Sequence, residues 1–248
     1  MDSEGTLEKI EVDAYGALRE NAAVAEETLE KEGDTRLDFF KKAGIAGGGV
    51  IGGGALLSAL VPGVGMATER NHHHNGGGLD RPPKKFGKGD VGILNYALTL
   101  EYLEASFYNE AAKKGKFDDK ATRDFLAAVV RDENAHVRIL EGILGRKAVK
   151  KPKFDFGMTT SDEKLFVATS FALENTGVGA YSGQAFNIKH RRVLAGALSI
   201  VTVEARHAGL IGQIYKGRKG VAPDGPTDDP VGARETLKAV KQTGFITG

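Results

Sequence analysis

The chain has no cysteine and no tryptophan, and only seven prolines in 248 residues. Without cysteine it can form no disulfide, no zinc–thiolate site and no thiol nucleophile. That absence is compatible with export but does not indicate it. Scarce proline, beside abundant alanine, leucine, glutamate and lysine, favours helices. Neither sign of charge dominates: 34 Lys+Arg against 33 Asp+Glu leave a net of +1. Nothing in that balance attracts nucleic acid or an acidic surface, so no nucleic-acid partner is expected. A composition of 41% hydrophobic and 27% charged residues is ordinary for a globular protein.

Charge is nevertheless unevenly placed. Residues 1–34 carry eleven acids and three bases, with apolar residues from Leu7 to Leu29 at helical spacing. An acidic arm is expected there, either a solvated amphipathic helix or a disordered segment. Arg36, Lys41 and Lys42 then precede 26 uncharged residues, Ala43 to Thr68, with small residues at Gly65 and Ala67. Charged region, apolar region and small-residue site are the layout of a signal peptide. The stretch Thr35-Arg36-Leu37-Asp38-Phe39-Phe40-Lys41 resembles a twin-arginine export signal, although Leu37 stands where the second arginine belongs. Nine glycines make the apolar run weakly hydrophobic, which suits that route. A membrane anchor through 43–68 is the other reading, since 26 residues can span a bilayer. Residues 69–89 read as a linker, and the tract His72, His73 and His74 as a solvated part of it, with loose metal binding the other reading.

From Asp90 onward the pattern is four long helices, over about 90–115, 118–145, 160–186 and 190–216. Asp90 is expected to cap the first, Thr160 and Glu163 to form a capping box on the third, and Gly145 and Gly217 to end the second and fourth. A tail, 217–248, follows, with a short helix near 231–242. Short turns join the first helix to the second and the third to the fourth, so each pair is antiparallel. Fourteen residues, 146–159, separate the pairs. Extended, they reach about 46 Å, and a helix of 28 residues is about 42 Å long. They can run the length of the bundle and leave helices two and three parallel. The expected fold is therefore all-α, a four-helix bundle with one long crossover, the ferritin-like connection.

Each helix carries acid at its centre: Glu101, then Glu133 with His136, then Glu174, then Glu204 with His207. Residues three apart share a helix face, so each Glu-x-x-His pair can point into the core. The halves repeat, because Tyr108 follows Glu101 by seven residues and Tyr181 follows Glu174 by seven. Outside the tract there are three histidines, His136, His190 and His207, and two have glutamate at minus three. With 18 Glu in the chain, that is about a 1-in-60 accident. Four ionised carboxylates in an apolar core are costly unless paired. Arg131, Arg138 and Arg206 fall off the line of the ligands. Two divalent cations would balance the charge, and Glu from two helices plus Glu-x-x-His from two others is the di-iron or di-manganese carboxylate arrangement. Oxygen and imidazole ligands without thiolate suit iron or manganese. The rival is a metal-free bundle whose acids face solvent or pair among themselves.

Three residues stand beside this set. Glu104 is expected to accept a ligand histidine's ring N–H, or else to be solvated. Tyr108 and Tyr181 are candidate donors to the ligands, or core tyrosines with satisfied hydroxyls. Gly177, Gly179 and Gly183 each cost about 1 kcal/mol in a helix relative to alanine. Close helix approach or a kink near the metal would account for them.

The stretches "ILNYALTLEYLEASFYNEA", "DENAHVRILEGILG", "FALENTGVGAYSGQA" and "SIVTVEARHAGLI" resemble the ferritin-like domain of exported bacterial proteins often labelled desiccation-associated. The resemblance covers about 90–216. It implies a di-iron-type site on Glu101, Glu133, His136, Glu174, Glu204 and His207. It implies little about reaction, because such bundles serve iron storage, peroxide reduction, manganese catalase chemistry and substrate oxidation. The expectation is an exported protein holding two Fe or Mn ions, with O₂ or peroxide as its small-molecule partner, in oxidative or drying stress. An oligomer is compatible with it. The alternative is a stress-related structural or binding bundle without turnover.

Overall fold

The computed structural model describes residues 79–247. The acidic arm 1–34, the leader or anchor 35–68 and the histidine tract lie outside the described residues. Four long helices follow the expected order: α1 (Gly89–Lys114), α2 (Lys120–Leu144), α3 (Glu163–Ala185) and α4 (Arg191–Lys216). Two shorter ones, α5 (Arg218–Val221) and α6 (Ala233–Gln242), come after them. Among the described residues the β structure is one isolated bridge, Phe154 to Ile246.

The helix ends are set by local chemistry, not always at the residues expected. Asp119 caps α2, accepting from the Thr122 N–H at 2.8 Å, and Gly145 stops it with a φ of 52° that other residues resist. Asp90 does not cap its own helix. It lies in the first turn of α1, and its carboxylate accepts from the backbone N–H groups of Lys189 and His190. It thus ties the start of α1 to the α3–α4 turn. The capping box at Thr160 and Glu163 does not form either. Asp162 caps α3 through the Leu165 N–H at 2.9 Å. Glu163 instead accepts from the N–H groups of Asp118 and Asp119, and the Thr160 hydroxyl donates to Glu110. Both side chains are drawn to neighbouring elements that bring unsatisfied groups within reach.

The crossover follows α1 from end to end. Asn95, in the second turn of α1, holds the Lys147 carbonyl and the Val149 N–H, both at 2.9 Å. Phe156 then packs edge-on against Phe107, and Thr160 meets Glu110 near the C-terminus of α1. Residues 145–162 therefore span the bundle, and α3 starts at the end where α2 started. α1 packs on α2 and α3, and α4 packs on α3 and α2.

α1 and α3 are buried on nearly every side, whereas α2 and α4 are amphipathic. The crossover covers the outer face of α1. The C-terminal segment covers α3: the Val231 N–H donates to the Gly179 carbonyl, and Ala233, Val240 and Phe245 join the core. Much of 231–245 is thus packed structure. So are parts of 79–86, where Asn187 and Gln184 grip the Leu79 and Asp80 carbonyls. Two of the three glycines of α3, Gly179 and Gly183, serve this covering. A Cβ on Gly183 would stand 1.9 Å from the Val231 oxygen, and one on Gly179 2.7 Å from a Val231 methyl. The close approach is by the C-terminal segment, not by a helix. α4 is long and apolar enough by composition to cross a membrane, yet here it packs along α3.

Two apolar clusters fill the bundle. One end is aromatic, around Phe107, Phe125, Phe166 and Phe171. The other is aliphatic, around Leu98, Leu140, Leu144 and Ile200. Between them lies one polar layer.

Candidate metal centre

That layer holds Glu101, Glu133, Glu174 and Glu204, all 0% exposed, with His136 and His207 each at 5%. All six expected ligands meet there. Glu101, Glu133, His136 and Glu204 form one group whose ligand atoms lie within 4.8 Å of one another, and Glu133, Glu174, Glu204 and His207 form a second. Glu133 and Glu204 belong to both groups. His136 directs Nδ1 at Glu204 (2.9 Å) and Glu101 (3.3 Å), and His207 directs Nδ1 at Glu133 (3.0 Å) and Glu174 (3.4 Å).

The two tyrosines hold carboxylates across the pseudo-twofold. Tyr108 of α1 donates to Glu174 of α3, and Tyr181 of α3 donates to Glu101 of α1. The seven-residue spacing thus marks a reciprocal pair of bonds between helices.

Glu104 is buried, at 3% exposed, which removes the solvated reading. Its carboxylate lies beside Gly177, with Oε1 3.4 Å from where a Cβ of that residue would stand. The acceptor beside a histidine ring is Asp132, whose Oδ2 is 3.2 Å from His207 Nε2. Arg131 grips Asp132 through Nε and Nη2 at 2.7 and 3.0 Å. The sequence reading missed Asp132. Consecutive helical residues point about 100° apart, so a reading confined to one face passes over it. Its one signal was an acid directly before Glu133, and the repeat has Val203 at the matching position.

Without cations the layer is an electrostatic problem. Glu101 Oε2, Glu133 Oε1, Glu174 Oε2, both Glu204 oxygens and His207 Nδ1 are buried without a well-aligned hydrogen bond, and the histidine Nδ1 atoms at 2.9–4.0 Å are the charge partners those oxygens have. Each such atom costs about 1–3 kcal/mol, more when charged. The layer responds by holding protons. Burial, then the charges of Glu133 and Glu101, push Glu204 well above the carboxylate range. Burial likewise raises Glu104, reinforced by its four acidic neighbours. Burial lifts Glu133 to about 7 against the opposing pull of both histidines. Burial opposes a charged His207, yet Glu133 and Glu174 carry it up to about 11. His136 is raised in the same way by Glu101. Glu101 goes the other way and is lowered: burial acts upward, but His136, Glu133 and the Tyr181 hydroxyl outweigh it.

These residues fit divalent cations. The donors are hard oxygen and imidazole nitrogen, their atoms without a well-aligned hydrogen bond converge, and two dications match four carboxylates in charge. A ferritin-like domain family model matches residues 89–216, the four long helices from end to end. A search of curated proteins finds no match.

Proposed function

The chain belongs to the ferritin-like domain family, and from that footing we propose that it holds two iron or manganese ions in the polar layer and uses them with O₂ or peroxide. The observation that carries this reading is the pair of ligand groups sharing Glu133 and Glu204. Those two carboxylates would help to hold both ions. Glu101 with His136, and Glu174 with His207, would complete one position each. Bound there, the metals would supply one-electron redox chemistry toward the oxidant.

The chain's own groups do the rest. Tyr108 and Tyr181 orient Glu174 and Glu101. Asp132 orients the His207 ring and favours its Nε2–H tautomer, leaving Nδ1 free to coordinate. The aromatic and aliphatic clusters on either side keep bulk water from the layer. Ferroxidase, peroxidase and manganese-catalase-like activity all fit this arrangement. Residues 35–68 support an exported location, with the apolar run either cleaved off or kept as an anchor, and stress protection of the cell envelope as the role.

A second reading rests on the raised Glu204 and Glu104. Protons alone would then neutralise the layer, and the bundle would be a structural or binding protein without turnover. Metal analysis of the purified full chain separates the two. Wild type should hold about two ions per chain; Glu133→Ala should lose both and His136→Ala one. Wild type that stays empty after reconstitution with iron and with manganese rejects the metal reading.

A further inference from the structure

One end of the bundle is strongly basic. The start of α1, the end of α2 and the α3–α4 turn meet there, joined by Asp90 to the backbone of 189–190 and by Asn95 to the Lys147 carbonyl. Lys84 and Lys88 lead into α1, Arg146 and Lys147 follow α2, and Arg191 and Arg192 open α4, all of them exposed. Among the described residues none of these six is held in an ion pair. The acids set among them are already engaged: Asp90 accepts from the N–H groups of Lys189 and His190, and Glu141 from the Tyr102 hydroxyl. Asp80 and Glu235 lie to one side, toward α6, where Asp80 accepts from the Arg234 N–H.

The other end mixes its signs. Lys114 pairs with Glu110 and Lys120 with Asp124, and Asp118 and Asp119 are exposed beside them. A chain with a net charge of only +1 thus carries a positive field at one end.

The chain enters the described structure at that same end. Asn187 and Gln184, at the close of α3, hold the carbonyls of Leu79 and Asp80. Ten residues, 69–78, separate Leu79 from the apolar run Ala43–Thr68, a reach of about 35 Å at most. Were that run seated in a bilayer, the basic end would be the part of the bundle nearest the lipid. Ile143, 47% exposed and three residues before Arg146, offers hydrocarbon to such an interface. Nucleic acid would answer the charge but neither the apolar run nor Ile143.

We propose that the basic end of the bundle docks on an anionic lipid bilayer, with Lys84, Lys88, Arg146, Lys147, Arg191 and Arg192 against the head groups. Each base near such a surface strengthens binding about fivefold. The surface is built from groups outside the ligand layer, so it stands whether or not the layer holds metal.

Sedimentation of the full chain with two kinds of vesicle tests this, one of equal parts phosphatidylglycerol and phosphatidylcholine, the other of phosphatidylcholine alone. Both offer the same hydrocarbon, so the ratio of affinities reads the charge and not the apolar run. The anionic vesicles should bind at least about tenfold more tightly at low salt, and the difference should shrink as salt is raised. Lys84→Gln, Lys88→Gln, Arg191→Gln and Arg192→Gln together should remove most of that ratio. Lys113→Gln, Lys114→Gln, Lys116→Gln and Lys120→Gln make the same change in net charge at the other end, and should alter it by less than about twofold. The chain has no tryptophan, so Ile143→Trp places a single fluorophore at the basic end. Met158→Trp, at a residue 67% exposed just before α3, places one at the other. The first should shift to the blue on anionic vesicles and the second should not. Equal affinity for the two vesicles overturns the proposal, as do equal losses in the two quadruple variants or equal shifts of the two fluorophores. Tighter binding of a duplex oligonucleotide than of anionic vesicles overturns it as well and assigns the end to nucleic acid.

Discussion

The Tyr181 hydroxyl on α3 donates to the carboxylate of Glu101 on α1, and Tyr108 on α1 returns the same bond to Glu174 on α3. Both tyrosines are buried and their hydroxyls are held well above the usual range, first by burial and then by the facing carboxylate. Tyr181→Phe should therefore lower metal affinity by about 10–100-fold, measured by competition with a chelator. In an alkaline absorbance titration neither tyrosine should ionise before the protein unfolds. Tyrosine ionisation equal in wild type and the Tyr108→Phe/Tyr181→Phe variant, below the unfolding pH, is the expected result.

Shared and unshared carboxylates should differ in stoichiometry. Glu133→Ala or Glu204→Ala removes a ligand common to both groups and should empty the centre. Glu101→Ala or Glu174→Ala should leave about one ion per chain. Metal analysis after gel filtration distinguishes these outcomes.

Stability should move in opposite directions with and without metal. Glu204→Gln removes a carboxyl whose charge is opposed by burial and by Glu133 and Glu101, so the metal-free variant should be more stable than wild type by about 1–3 kcal/mol. With metal the order should reverse, because the variant loses the ions' contribution. Thermal denaturation with and without a chelator reads both signs.

Metal uptake should release protons. Glu204, Glu133, His136 and His207 all have raised affinities for protons in the metal-free layer, and cations compete for the same atoms. Affinity should fall as pH is lowered from neutrality. The heat of binding should depend on the buffer's ionisation enthalpy, as calorimetry in phosphate and in Tris would show.

Asp132→Asn removes the charge that holds the His207 ring and should weaken metal binding by about 10–100-fold. Arg131→Gln, which acts only through an exposed pair, should cost about 0–1 kcal/mol. Equal effects of the two would show that Asp132 acts by fixing local helix geometry.

Local pattern determined much of this protein. Helix periodicity, the glycine stops and the length of the 146–159 connection specify a four-helix bundle with one crossover, because each depends on neighbours in the chain. The six central candidate ligands follow from Glu-x-x-His spacing and mid-helix placement, because three residues bring two side chains to one face. Only the tertiary structure decided the partners that lie far apart in sequence. Tyr108 meets Glu174 across 66 residues, Asp132 meets His207 across 75, and Tyr181 meets Glu101 across 80. It also decided that parts of 79–86 and 231–245 are packed against the bundle, and that Asp90 and Glu163 serve elements other than their own. Gly183 belongs with these, since its missing Cβ makes room for the backbone of Val231. The physical reason is common to all of them. A carboxylate, a hydroxyl or a glycine is satisfied by whatever the fold brings alongside it, and packing between helices decides which groups those are.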